Sequence, residues 1–215
     1  KAIDGMHFSI ESGEFVAVMG ESGSGKSTLL SVLGAMNAPS SGRMYVDDID
    51  IYGLNPERRA DFRREFLGFV FQSFHLIPYL TVIENVLLPL SIVRSGRRAK
   101  KAKAEAALKS VGLTDKGHRL PHQISGGEKE RVAVARAIVN SPPILLADEP
   151  TGSLDSKTSR EIMKLLQNLN HEGMTVIMVT HSHECARYAS RVLQIADGIL
   201  VEAAMPRNHW IEALN

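Results

Sequence analysis

Gly20-Glu21-Ser22-Gly23-Ser24-Gly25-Lys26-Ser27-Thr28 decides how this chain reads. It satisfies G-x-x-x-x-G-K-[ST] at Gly20, Gly25, Lys26 and Ser27. Such a loop suits a polyphosphate. Its glycines let the backbone curl until several N–H groups point at one anion. A helix beginning at Ser27 aims its positive end at the same place. Lys26 is then the reach to the β- and γ-phosphates, and the Ser27 hydroxyl an oxygen ligand for Mg²⁺. The setting separates the motif from a chance glycine-rich turn. Phe15-Val-Ala-Val-Met19 before it reads as a buried strand. Leu29, Leu30, Val32, Leu33 and Met36 after it form a helical stripe.

The bulk numbers narrow the rest. The 215 residues suit one large domain, or a core with a subdomain. A chain 44% hydrophobic and 23% charged can build a sizeable core. The net charge of +1 gives no global pull toward nucleic acid or an anionic membrane. The single Cys185 excludes an internal disulfide and fits a reducing compartment. No signal peptide is evident, and a chain beginning at Lys1 reads as trimmed. The most apolar stretch, Ile77 to Val93, is broken by Pro78, Glu84, Asn85 and Pro89, so it does not read as a membrane span. Work at a membrane would need another chain to supply one.

In order, the sequence predicts a strand over Met6–Ile10, then the loop-bearing strand and helix. Arg43–Val46 and Ile49–Ile51 read as a small antiparallel sheet, and Pro56–Phe66 as a helix with Pro at its first position. Leu67–Phe71 is a second core strand ending at Gln72. From Ser73 to Asn140 the pattern turns helical: Thr81–Val93, Arg97–Val111 and Ser125–Asn140. The middle helix carries Ala99, Ala102 and Ala106 on one side, with lysines around them. Its run Arg97, Arg98, Lys100, Lys101, Lys103 suggests RNA or lipid headgroups. With Glu105 nearby and no interleaved aromatics, it reads as a solvated face. Pro142–Asp148 returns to a buried strand. Ser156–Asn170 is an amphipathic helix on Ile162, Leu165, Leu166 and Leu169. Thr175–Thr180 is a strand, a short helix lies near Glu184, Arg191–Ile195 is the last strand, and Pro206–Leu214 is a short helix. Strands alternating with helices predict an α/β fold with a mostly parallel sheet.

Asp148-Glu149 closes the apolar strand Ile144–Ala147. A carboxylate at the C-terminal end of a parallel strand faces the crevice where ligands sit. Asp148 is the candidate to hold Mg²⁺ through its water shell, and Glu149 to take a proton from an attacking water. Ser125-Gly126-Gly127-Glu128 is a capping box by its Ser and Glu. Two glycines in a first turn cost about 1 kcal/mol each. They make sense where the helix N-terminus must approach an anion closely.

Ile124-Ser-Gly-Gly-Glu128, upstream of Asp148-Glu149-Pro150, resembles the signature of ATP-binding cassette (ABC) ATPases. So do Gln72 after a strand, Ser153-Leu154-Asp155 after the acidic pair, and His181 after the strand Thr175–Thr180. The resemblance covers essentially the whole chain. It implies a single cassette over 1–215: a P-loop NTPase core (1–72 and 141–215), a small antiparallel β-subdomain, and an inserted helical subdomain at about 73–140. It implies a head-to-tail, ATP-dependent homodimer. Each MgATP lies between the loop of one subunit and Ser125, Gly126 and Gly127 of the other. Gln72 contacts Mg²⁺ and the attacking water, His181 the γ-phosphate, and Asp155 ties the subunits together near the site. Two departures stand out. Many members carry Gln where this chain has Glu128, although the lipoprotein-release branch commonly has Glu. No convincing adenine-stacking aromatic precedes Met6, and Phe8 reads as a strand residue.

Asp148-Glu-Pro-Thr-Gly-Ser-Leu-Asp155, Leu67–Gln72, His75-Leu-Ile-Pro78 and Glu84-Asn85-Val86 look like the branch of lipoprotein-releasing and macrolide-exporting ATPases. The branch implies an integral membrane permease as partner, and a peripheral place on the cytoplasmic face of the inner membrane. The permease's cytoplasmic helix would dock on Gln72–Leu90, where Phe74, Leu76, Ile77, Tyr79 and Leu80 serve equally well as core. Rival readings are an ABC ATPase for DNA repair, which would need a coiled-coil or zinc-bearing insertion, and a kinase, which would not explain Ser125–Glu128. An ABC ATPase that regulates a cell-envelope enzyme without export shares the same ATP chemistry. The transporter reading calls for no nucleic acid.

Overall fold

The computed structural model describes residues 2–204. Its main sheet has the strand order β4-β5-β6-β1-β7-β8, built from β1 (Phe15–Met19), β4 (Leu67–Phe71), β5 (Ile144–Asp148), β6 (Thr175–Thr180), β7 (Arg191–Ala196) and β8 (Ile199–Ala204). All neighbours are parallel except β7 and β8. A sheet covered on both faces needs strands apolar on both faces, which is why β1 reads as an unbroken apolar run and is buried throughout. Alternate residues feed two cores. Phe15, Ala17 and Met19 join one face with α3 (Val82–Leu87), α4 (Arg97–Ser110), α5 (Gly126–Ile138) and α6 (Ser156–His171). Val16 and Val18 join the other, with Leu29 and Leu30 of α1 (Lys26–Leu33) and Phe62 of α2 (Pro56–Phe66). A two-stranded antiparallel sheet, β2 (Tyr45–Val46) with β3 (Ile49–Asp50), stands apart. A short α7 (His183–Ala186) follows β6. Every described helix between β4 and β5 is helical without an intervening strand.

Several expectations need correction. Met6–Ile10 is not a strand. Met6, Phe8 and Ile10 do pack on the core, but β1 already pairs with β6 on one side and β7 on the other, so the segment finds no ladder there. Helix α1 ends at Leu33, which leaves Met36 beyond the stripe and 44% exposed. Thr81 caps α3, which stops at Leu87; the chain tightens into a 3₁₀ turn around Pro89, whose missing N–H cannot continue the ladder. On α4 the buried residues are Ala104, Ala107 and Leu108, and Ala99, Ala102 and Ala106 face outward. Strand β8 is an addition. It follows a turn in which Asp197 (φ 49°) and Gly198 (φ 77°) both take left-handed backbone, the geometry that Asp-Gly favours in a two-residue hairpin. The helix expected over Pro206–Leu214 lies outside the described residues.

Candidate active site

The site grows from the end of β1. A side chain on Gly20 would place Cβ 2.2 Å from the Ile195 carbonyl oxygen, so only glycine lets the loop leave the strand there. Gly25 has φ 101° and the Ala2 carbonyl 2.2 Å from where a Cβ would stand, so it is doubly restricted. Gly25 is also the N-cap of α1. No side chain caps that helix, and no acidic residue occupies its first turn. Helices α2, α3, α5, α6 and α7 are capped by Asn55, Thr81, Ser125, Asp155 and Ser182, whereas α4, like α1, has no side-chain cap. The uncapped amides and positive end of α1 suit an anion. Lys26 is 8% exposed, and its ammonium donates to the Gly20 carbonyl (2.8 Å) and the Glu21 carbonyl (2.7 Å). Two of its three donors thus hold the loop's curve. Ser24 Oγ is buried with no partner among the described residues.

Asp148 ends β5. Burial pushes its carboxyl above the usual range, and the charge of Glu149 adds to this; a hydrogen bond from Ser27 and the charge of Lys26 act the other way. A serine hydroxyl against a half-buried carboxylate is a hard-oxygen pair, the donor type that suits Mg²⁺. The described residues hold no cluster of three His, Cys, Asp or Glu placed for a metal. Mg²⁺ commonly takes one or two protein oxygens and completes its shell with water and phosphate, so the donor set fits it.

Glu149 follows with φ 47°, a left-handed backbone unusual for a side-chain-bearing residue. Its N–H donates to the Val179 carbonyl at 2.9 Å. Glu149 Oε1 accepts from the His181 backbone N–H (3.0 Å) and lies 2.7 Å from His181 Nδ1; Oε2 accepts from Thr180 Oγ1 (3.2 Å). Three contacts from the end of β6 therefore orient a carboxylate whose side chain is 13% exposed, beside an imidazole that is 68% exposed. The Thr180 hydroxyl escaped the sequence reading, because nothing but its place beside His181 marks it.

A cleft of about 600 Å³ brings Gln72, Asp148, Glu149 and His181 to Lys26 and Ser27, with Ser22, Gly23, Gly25 and Thr28 along the loop side. Gly20, Glu21 and Ser24 do not line it; the first two offer their carbonyls to Lys26. Ser125, Gly126, Gly127 and Asp155 do not line this cleft. Ser125 and Glu128 form the expected reciprocal cap (3.2 and 2.8 Å), and Glu128 also pairs with Lys116 at 3.1 Å. The two glycines differ. A Cβ on Gly127 would meet Thr158 Cγ2 at 2.3 Å, whereas one on Gly126 would meet Leu154 Cδ2 at an ordinary 3.5 Å. Gly127 thus has a packing reason of its own. Asp155 caps α6, its Oδ1 accepting from the N–H of Lys157 and Thr158 and its Oδ2 from the Thr158 hydroxyl. Of the apolar residues after Gln72, Tyr79 is 79% exposed, while Leu76 packs against the core. No helix among the described residues is long and apolar enough to cross a membrane.

Comparison with known proteins identifies the family. The family model described as ABC transporter matches residues 3–152. An uncharacterized ABC transporter ATP-binding protein of Methanocaldococcus jannaschii, MJ1508, is 45% identical over 201 residues, covering 94% of this chain and 90% of that protein. The macrolide export ATP-binding/permease protein MacB of Burkholderia lata is 42% identical over 99% of this chain, which spans only 31% of that longer protein. The solved dimeric structure of MJ0796, a cassette from the same archaeon, superposes with a TM-score of 0.87 at 44% identity, covering 96% of this chain and 91% of that one. The chain belongs to the ABC transporter family, as an ATP-binding cassette that hydrolyses ATP.

Proposed function

We propose that this cassette hydrolyses MgATP between two copies of itself arranged head to tail, and that it drives a membrane permease of the lipoprotein-release or macrolide-export type. The observation that carries the ATP site is the convergence of Lys26, Ser27, Asp148, Glu149, Gln72 and His181 on one cleft at the uncapped start of α1. Phosphoryl transfer asks mainly for positioning and charge neutralisation. Lys26 and the α1 amides bind the phosphates. Ser27, Asp148 and Gln72 would hold Mg²⁺, which would neutralise phosphate charge. Glu149, oriented from β6, accepts the proton of the attacking water, with His181 and Gln72 placing that water.

Ser125 and Gly126 are exposed and lie outside their own chain's cleft, which supports their facing the nucleotide of a second copy. Asp155 would stand near that junction. The helical segment 73–140 is read as a subdomain that presents Gln72–Leu90 to the permease. The dimeric solved relative and the fused permease of the MacB relatives support both partners. The cassette would then sit peripherally at the cytoplasmic face of the inner membrane. Regulation of a cell-envelope enzyme without export would use the same ATP chemistry.

The test is the solution mass of the Glu149→Gln chain by sizing with light scattering. A monomer that becomes a dimer only with MgATP supports the composite site. A monomer under both conditions, with ATP measurably bound, overturns it. Lys26→Ala is expected to lose ATP binding altogether.

A further inference from the structure

The turn that follows Gln72 is held from outside the loop. Arg136 of α5 donates from Nη1 to the His75 carbonyl at 2.6 Å and from Nη2 to the Phe74 carbonyl at 2.7 Å. Both receiving residues are in left-handed backbone, Phe74 at φ 59° and His75 at φ 47°, and neither is glycine. Two consecutive residues of this kind persist only where their surroundings fix them. The turn itself is short: Phe74 N–H donates to the Phe71 carbonyl at 3.0 Å, and His75 N–H to the Ser73 carbonyl at 2.6 Å. The His75 ring leans on Phe71 with centroids 5.1 Å apart. Gln72 stands between these anchors, its Nε2 only 2.9 Å from where a Cβ on Gly152 would be.

Helix α5 sits close enough to do this because of Gly68. A Cβ there would come 2.6 Å from the Ala137 carbonyl, so glycine lets the helix backbone lie directly on β4, and from the residue before Ala137 the Arg136 guanidinium reaches the carbonyls beyond that strand's end. A guanidinium presents a rigid fork of donors that can serve two neighbouring carbonyls at once; an ammonium presents a single point. The same helix begins at Ser125.

The geometry assigns Arg136 the part of a positioning residue: by gripping the Phe74 and His75 carbonyls it fixes the turn that presents Gln72 to the cleft, and it joins that turn to the helix headed by Ser125. The functional half of this assignment rests on the proposed reading of Gln72 as the residue that places water and metal. The structural half does not.

Arg136→Lys tests it, because it keeps charge and length while losing the fork; Arg136→Gln is the second variant. The first readout is hydrogen exchange of the nucleotide-free chain. Amides of residues 73–77 should exchange about tenfold faster in either variant, with β4 and α5 unchanged. The second is steady-state hydrolysis. The kcat should fall about tenfold with KM for ATP within twofold, as expected when placement rather than binding is lost. In a Gln72→Ala background Arg136→Lys should cost nothing further in kcat. Unchanged exchange over 73–77 in both variants would overturn the assignment. So would an equal loss of kcat whether or not Gln72 is present. A wild-type chain that hydrolyses no ATP would sink the proposed function instead, and the exchange result would still decide whether Arg136 holds the turn.

Discussion

The Thr158 methyl group occupies the space into which any side chain on Gly127 would grow: the gap to a Cβ there is 2.3 Å. Thr158 cannot rotate out of the way cheaply, because its hydroxyl donates to Asp155 Oδ2 at 2.6 Å. Gly127→Ala should therefore destabilise the fold by about 1–3 kcal/mol through overpacking of α5 on α6, with no ATP present. Gly126→Ala has room, and its stability should stay within about 1 kcal/mol of wild type. Denaturant unfolding of the two variants checks this. On the proposed head-to-tail arrangement, any loss of ATP-driven association in Gly126→Ala then belongs to the junction between subunits and not to the fold. Equal destabilisation by both would contradict the packing difference.

Glu130 is 1% exposed on α5, and one carboxyl oxygen has no hydrogen-bond partner. Burial pushes its pKa from an ordinary 4.5 to about 8, against the charge of Arg136. A folded-state value above the unfolded one means the fold tolerates the neutral acid. Its contribution is complete below pH 4.5, declines as the unfolded chain ionises, and stops changing above about pH 8. Glu130→Gln removes this dependence. The variant should match wild type near pH 4.5 and exceed it by roughly 2–4 kcal/mol at pH 8. Urea unfolding at the two pH values decides the matter; a wild type more stable than the variant at pH 8 would refute it.

His181 supplies two of the three contacts to Glu149, one from its backbone and one from its ring. His181→Ala removes the ring and keeps the backbone hydrogen bond. The expected result is a kcat lower by about 10²-fold with ATP affinity nearly unchanged. A variant that loses ATP binding in proportion would place His181 in binding and not in the chemical step.

Glu128 serves the cap and pairs with Lys116, whose side chain is 42% exposed. Gln retains the capping geometry, and a pair this exposed contributes about 0–1 kcal/mol. Glu128→Gln should therefore change unfolding by less than about 1 kcal/mol and turnover by less than about twofold. A large fall in turnover would mean that this carboxylate has a part in the reaction.

The legible portions of the sequence were those governed by local rules. Strand β1 was readable because burial on both faces demands apolar residues at every position, and α6 because Ile162, Leu165, Leu166 and Leu169 mark one face. Pro56 marked the start of α2, and Ser125 with Glu128 the start of α5. What escaped depends on neighbours distant in the chain. Met6–Ile10 alternates like a strand, yet strandedness requires a free edge. Small alanines do not reveal which side of α4 meets the core. The Asp197-Gly198 hairpin was signalled in the sequence and overlooked. Arg136 and Gly68 gave no local sign, since their meaning lies in carbonyls of another segment.

The site residues hang from the C-terminal ends of four neighbouring strands: Gln72 from β4, the acidic pair from β5, His181 from β6 and the loop from β1. Three of these strands are flanked on both sides, but β4 is the margin of the sheet, with β5 as its only strand neighbour among the described residues. Tolerance to movement is therefore unequal within the proposed catalytic cluster. A pull on the margin can shift Gln72 while the acids, the histidine and the loop remain locked in their ladders. On the proposed roles, the acids, the histidine and the loop hang from strands paired on both sides, whereas Gln72 hangs from the margin and owes its place to the grip of Arg136 on the turn beyond it.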